Sequence, residues 1–101
     1  MRLYIAGPMT GIPEYNYPAF RTAIKGITDR GHKVLSTIGH EETLPRRAYM
    51  RLAFQLLLKA EGVAVLPGWD KSKGASIEVA MARELELPVL DAETLHAVVL
   101  K

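Results

Sequence analysis

Residues 70–78 read D-K-S-K-G-A-S-I-E, between the apolar run G-V-A-V-L and the helix-like run I-E-V-A-M-A-R-E-L. Ser72 and Gly74 precede a helix, whose unpaired N–H groups and dipole favour an anion. Gly74 would let a phosphate approach the main chain closely, and Ser72 would add a hydroxyl donor. Glu78 falls one turn into the helix and faces the same crevice if the helix begins near Ala75. A carboxylate in that position is costly to bury unless something uses it. The residues therefore suit a small site for an anion and a sugar. They also suit a plain loop, with Ser72 as an ordinary cap and Glu78 as a first-turn acid that complements the dipole. The motif alone leaves both readings open.

A second candidate loop closes the N-terminal run Y-I-A-G-P-M-T-G. It lacks the G-x-G-x-x-G spacing of a dinucleotide fold and the G-K-[ST] of a P-loop, which argues against both functions. Gly-Pro is ordinary turn punctuation, so the loop could simply end a strand. Otherwise Met9, Thr10, Tyr15 and Tyr17 are available to enclose a small ligand.

The elements that must position these loops alternate. Short apolar runs at 2–6, 33–36, 62–66 and 88–91 read as strands. Between them lie helical stretches from Pro18 to about Gly31, from Pro45 to about Glu61 and from about Ala75 to Glu86. The tail A-E-T-L-H-A-V-V-L-K reads as a short helix or an edge strand, with helix preferred. Strands alternating with helices predict an α/β, doubly wound three-layer sandwich around a four-stranded parallel sheet, with strand order 2-1-3-4. Ligands of such sheets bind beyond the carboxyl ends of the strands, where the order reverses. That switch point lies between strands one and three, where the two candidate loops meet.

Composition narrows the function classes. The chain has 101 residues, which predicts one domain over 1–101, and 49% are apolar and 24% charged. A net charge of +2 without a clustered basic face argues against nucleic acid. The absence of cysteine excludes thiolate nucleophiles and Cys-based zinc sites, and His32, His40 and His96 show no metal-ligand spacing. The apolar N-terminal piece is too short for a signal peptide or membrane span, so a soluble cytoplasmic protein is expected.

Taken together, A-G-P-M-T-G, then Y-N-Y-P-A-F, then L-P-G-W-x-x-S-x-G-A-x-x-E are more specific than either loop alone. Over roughly residues 2–90 the chain resembles the nucleoside 2-deoxyribosyltransferase-like superfamily. It looks most like short members common in phages and prophages, and like the branch that cleaves deoxynucleoside 5'-monophosphates. The resemblance implies that Glu78 is the nucleophile attacking the anomeric carbon. It implies that Ser72 and Gly74 hold the 5'-phosphate. Gly7, with its neighbours Pro8, Met9 and Thr10, matches the loop lining the sugar, and Tyr4 matches an aromatic position on the first strand. N-glycosidic cleavage builds oxocarbenium character that a carboxylate can stabilise or trap. Water as acceptor gives hydrolysis and a second base gives transfer; neither requires a metal or cofactor. The alternative is a non-catalytic nucleotide-binding or sensing protein of the same fold.

One departure supports that alternative. Relatives carry an Asp on the second helix that protonates or binds the leaving base, and in R-L-A-F-Q-L-L its place is taken by Ala53. The resemblance implies that this position points into the crevice. Glu61 falls near a second acid of relatives, and His40, Glu41 or Glu42 are either proton sources or solvated loop residues. The second helix, with Tyr49, Met50, Leu52, Phe54 and Leu56–Leu58, reads as apolar nearly all round, which predicts a homodimer through 45–61. Arg46 and Arg47 are either solvated or phosphate contacts at the crevice mouth. Trp69 suits stacking on a base or anchoring its loop. Lys71 and Lys73 flank the phosphate loop.

Overall fold

The computed structural model describes residues 1–39 and 44–99. Its elements are β1 (Arg2–Ala6), α1 (Tyr17–Asp29), β2 (Lys33–Leu35), α2 (Arg46–Lys59), β3 (Gly62–Val65), α3 (Lys73–Glu84) and β4 (Val89–Asp91). Short 3-10 turns occupy Pro13–Asn16 and Trp69–Lys71. The four strands pair in parallel in the order β2-β1-β3-β4, as the alternation of strands and helices predicts. Leu3 is opposite Val34 on one side and Gly62 on the other, which fixes the register of the central strands.

Alternation along β1 divides the core between the two faces of the sheet. Tyr4 and Ala6 join Ala53, Leu57, Val63, Ala75, Val79 and Ala82, so α2 and α3 cover one face. Leu3 and Ile5 join Phe20, Ile27 and Ala64, so α1 covers the other. All residues of β3 are buried, as expected for the interior strand of a parallel sheet. Both crossover helices flanking β3 begin at the carboxyl edge of the sheet. Their first turns therefore sit beside the loop that follows β1.

Two expectations require correction. The tail does not form a helix. It turns over residues 92–94 and runs back along β4: Ala97 bridges Leu90 in antiparallel sense, and the Val98 N–H donates to the Val89 carbonyl at 2.9 Å. The Asp91 carboxylate drives this turn by accepting the N–H groups of Glu93 (2.9 Å) and Thr94 (3.0 Å). The unpaired side of β4 takes up the returning chain. Nor is α2 apolar all round: Arg47, Arg51, Gln55 and Lys59 recur every fourth residue and are exposed, a polar outer stripe beside Leu58.

Candidate active site

Beyond the carboxyl ends of β1 and β3 lies a crevice of about 320 Å³. Its floor is built by α3. Ser72 caps that helix, its side chain accepting the Ala75 N–H at 3.3 Å. The hydroxyl keeps its own proton, free of that bond, to offer a ligand. The amides of Lys73 and Gly74, in the first turn, lie beyond the reach of their own helix's carbonyls. Gly74 lines the crevice, and a Cβ built there meets nothing within 4 Å. Neither packing nor a positive φ demands glycine at this position. Gly7 differs: a Cβ there would stand 2.8 Å from the Leu66 side chain, so the β1 loop can press against the end of β3 only as glycine.

Glu78 lines the same crevice and is 5% exposed. The buried Tyr4 hydroxyl donates to Glu78 Oε2. Burial and the adjacent carboxylate push the Tyr4 phenol far above its ordinary range, so Tyr4 remains a donor at any physiological pH. A buried carboxylate needs such a partner. The pair joins β1 to α3 across 74 residues of sequence.

The wall facing α3 comes from α2, backed by the segment that follows β2. Arg46, Tyr49 and Met50 line it with Leu44, and Met9 and Thr10 reach it from the β1 loop. Thr37, 1% exposed, shares a 2.6 Å hydrogen bond with the Tyr49 hydroxyl, which in turn approaches Met9 Sδ at 3.3 Å. Tyr15 closes the mouth. It lies in a run, Glu14, Tyr15 and Asn16, held at φ values of 55°, 52° and 63°, a left-handed turn that side chains normally avoid. Asn16 steadies it by donating to the Pro8 carbonyl at 3.0 Å.

An adjoining cavity of about 650 Å³ shares Thr10, Arg46, Ser72 and Gly74 with the crevice and adds Pro8, Lys71 and Lys73. The end nearest the α3 amides is therefore cationic, with Arg46 of α2 sharing it with Lys73 of α3 and Lys71 of the preceding turn. Metal-binding clusters of His, Asp or Glu are absent among the described residues.

Of the residues singled out in the sequence, Gly7, Met9, Thr10, Ser72, Gly74 and Glu78 line one crevice, Tyr4 holds Glu78 from beneath, and Pro8 lines the adjoining cavity. Trp69 is placed elsewhere, on a cavity with Val79, Arg83 and Val99 at the outer side of α3. Ala53, expected to point into the crevice, is fully buried in the core cluster with Tyr4, Leu57 and Val79. It lies one helical turn deeper along α2 than Tyr49 and Met50, which do line the crevice. Glu61 accepts the Arg2 backbone N–H at 2.8 Å and pairs with its guanidinium, a structural role at the opposite edge of the sheet. His40, Glu41 and Glu42 lie outside the described residues. Thr37 and Tyr49 carry no sequence motif; the only signal available was that each follows the carboxyl end of a strand or opens a helix.

Comparison with solved structures shows the same fold. A 2-deoxyribosyltransferase of the psychrotolerant bacterium Bacillus psychrosaccharolyticus superposes with a TM-score of 0.69 at 20% identity, covering 89% of this chain and 70% of that one. A CMP N-glycosidase of Clostridium botulinum gives 0.64 at 14% identity, covering 89% of this chain and 66% of that one. No curated protein matches by sequence. The profile of the domain of unknown function DUF4406 matches residues 1–91, and the chain belongs to that family.

Proposed function

We propose that the crevice binds a deoxynucleoside 5'-monophosphate and cleaves its N-glycosidic bond, with Glu78 as the nucleophile. The observation that carries this reading is the placement of Glu78. A carboxylate 5% exposed, oriented by the Tyr4 hydroxyl, lies on the same helix as first-turn amides that its own carbonyls do not reach and a capping serine. The 5'-phosphate would sit against the Ser72 hydroxyl and the amides of Lys73 and Gly74, with Arg46 opposite. The sugar would lie over Gly7, Met9 and Thr10, bringing C1' to Glu78. Attack by the carboxylate forms a C1'–O bond as the C1'–N bond breaks, and the base leaves with the electron pair and takes up a proton. Water then opens the ester to release 2-deoxyribose 5-phosphate and regenerate the carboxylate; a second base in place of water gives transfer. The shared fold of a 2-deoxyribosyltransferase and a CMP N-glycosidase supports this reaction class.

Base release from a panel of deoxynucleoside monophosphates tests the reading. Glu78→Gln should lose roughly three orders of magnitude or more while still binding nucleotide, as expected for a lost nucleophile. A wild type that releases no base from any member would overturn it. A specific observation favours a second reading in that event. Ala53 stands where the resemblance places an acid, so a protein that binds the panel without cleaving it would be a nucleotide sensor of the same fold. Either protein would act as a single domain, self-associating through the outer face of α2, where Leu58 is 65% exposed.

A further inference from the structure

The hydroxyls of Thr37 and Tyr49 form a polar pair that the reaction so far does not use. Thr37 follows β2 and is almost completely buried, and Tyr49 opens the wall of the crevice on α2. Their 2.6 Å bond fixes the phenol at the β2 side of the site. Tyr4 lies between this pair and Glu78. Its hydroxyl donates to Glu78, and Thr37 is near enough to act on its phenol.

The order of the strands gives these groups an order in space. Ser72 and Gly74 follow β3, Glu78 meets Tyr4 of β1, and Tyr49 is tied to Thr37 after β2. Adjacent strands are about 4.8 Å apart, so the three stations span roughly 10 Å across the sheet. With phosphate at the first station and C1' at the second, the base extends toward the third. There the Tyr49 proton is directed at Met9 Sδ, a weak acceptor that a ring nitrogen or carbonyl of a base would readily replace.

We infer that Tyr49, positioned by Thr37, donates the proton that the leaving base requires. The inference rests on the glycosidase reading above and adds the acid that Ala53 removes from α2. As the C1'–N bond breaks, its electron pair goes to the base, which takes the phenolic proton. Thr37, which donates its single proton to the Tyr49 oxygen while Tyr49 points at Met9, stabilises the charge left there. The water that later attacks the Glu78 ester at C1' gives its proton back to Tyr49, and the cycle balances without another reactant. Thr37 is a positioning residue, since it acts only through the two phenols.

Leaving-group dependence provides the test. A deoxynucleotide loses its base with proton assistance, whereas 4-nitrophenyl 2-deoxyriboside 5-phosphate releases a phenolate that needs none. A positioned acid contributes about 10²–10⁴-fold, so Tyr49→Phe should lose at least about thirtyfold more on the deoxynucleotide than on the nitrophenyl substrate. Glu78→Gln should lose comparably on both. Thr37→Val should show the selective loss of Tyr49→Phe in weaker form, and Thr37→Ser should restore it, which a purely structural role would not predict. If Tyr49→Phe fails to fold because Thr37 is left unsatisfied, the Tyr49→Phe/Thr37→Val double variant removes both partners and carries the same expectation. Equal loss on the two substrates, or no loss, beside a Glu78-dependent wild type would overturn the role of Tyr49 and leave the glycosidase reading standing. A wild type that cleaves neither substrate would overturn both.

Discussion

Gly74 offers a perturbation in which stability and function should move in opposite directions. The residue is the second of α3, its φ is not in the left-handed region, and a methyl group there would meet no protein atom within 4 Å. Replacing a helical glycine by alanine removes backbone freedom from the unfolded chain and is worth about 0.5–1 kcal/mol. At this end position the lower figure applies, and for a chain of this size it raises Tm by about 2–4 °C. Gly74 lines the crevice with Ser72, so a methyl that meets no protein atom there would crowd a phosphate held on the first-turn amides. Losing even one charge-assisted bond to a phosphate oxygen costs about 1.5–3 kcal/mol, or roughly ten- to a hundredfold in affinity. Gly74→Ala should therefore melt higher than wild type yet bind a deoxynucleoside 5'-monophosphate at least about tenfold more weakly, with the parent nucleoside affected less than about threefold. Differential scanning calorimetry and isothermal titration on the same preparations measure both. A variant that melts higher and binds the monophosphate as tightly as wild type would refute the phosphate cradle. One that melts lower would refute the view that nothing in the fold demands glycine here.

Three further outcomes are expected. Ala53→Asp places a carboxylate in the core between Tyr4 and Val79, and burying it should cost several kcal/mol and lower Tm by roughly 10 °C or more; a thermal melt within about 2 °C of wild type would show that the position opens to the crevice after all. Hydrogen bonds from the Thr94 and Glu93 amides hold the Asp91 carboxyl below its ordinary range, so its contribution is present at neutral pH and lost as the pH falls through the depressed folded-state value. Asp91→Ala should thus melt below wild type at neutral pH, with the gap narrowing on acidification below the usual aspartate range; a gap that widens with acid would reverse the sign argued here. If α2 is the self-association surface, sedimentation should give a dimer at micromolar concentration that Leu58→Glu splits, and a monomeric wild type would remove that proposal.

The β-α alternation was legible in the chain because each element carries its own period and its own punctuation. Gly7-Pro8 and Pro67-Gly68 stop strands, and Gly31 at φ 88° ends α1 whatever the rest of the molecule does. A sheet of four short parallel strands follows almost by necessity, and with it the switch point where Ser72, Gly74 and Glu78 meet the β1 loop. Local rules failed where the deciding contact is distant. The tail A-E-T-L-H-A-V-V-L has tolerable helix composition, but β4 has an open side and the Asp91 carboxylate caps a turn toward it. The resemblance put Ala53 in the crevice, and a helix read as apolar nearly all round does not tell which residues meet a ligand and which meet the core. The height of α2 against the sheet decides that, leaving Tyr49 and Met50 at the crevice and Ala53 below it. The pairs Tyr4–Glu78 and Thr37–Tyr49 belong wholly to the tertiary structure. A tyrosine, a threonine or a glutamate in isolation has no preferred partner, and only the packing of β1 against α3 and of the segment after β2 against α2 brings their oxygens within hydrogen-bonding reach.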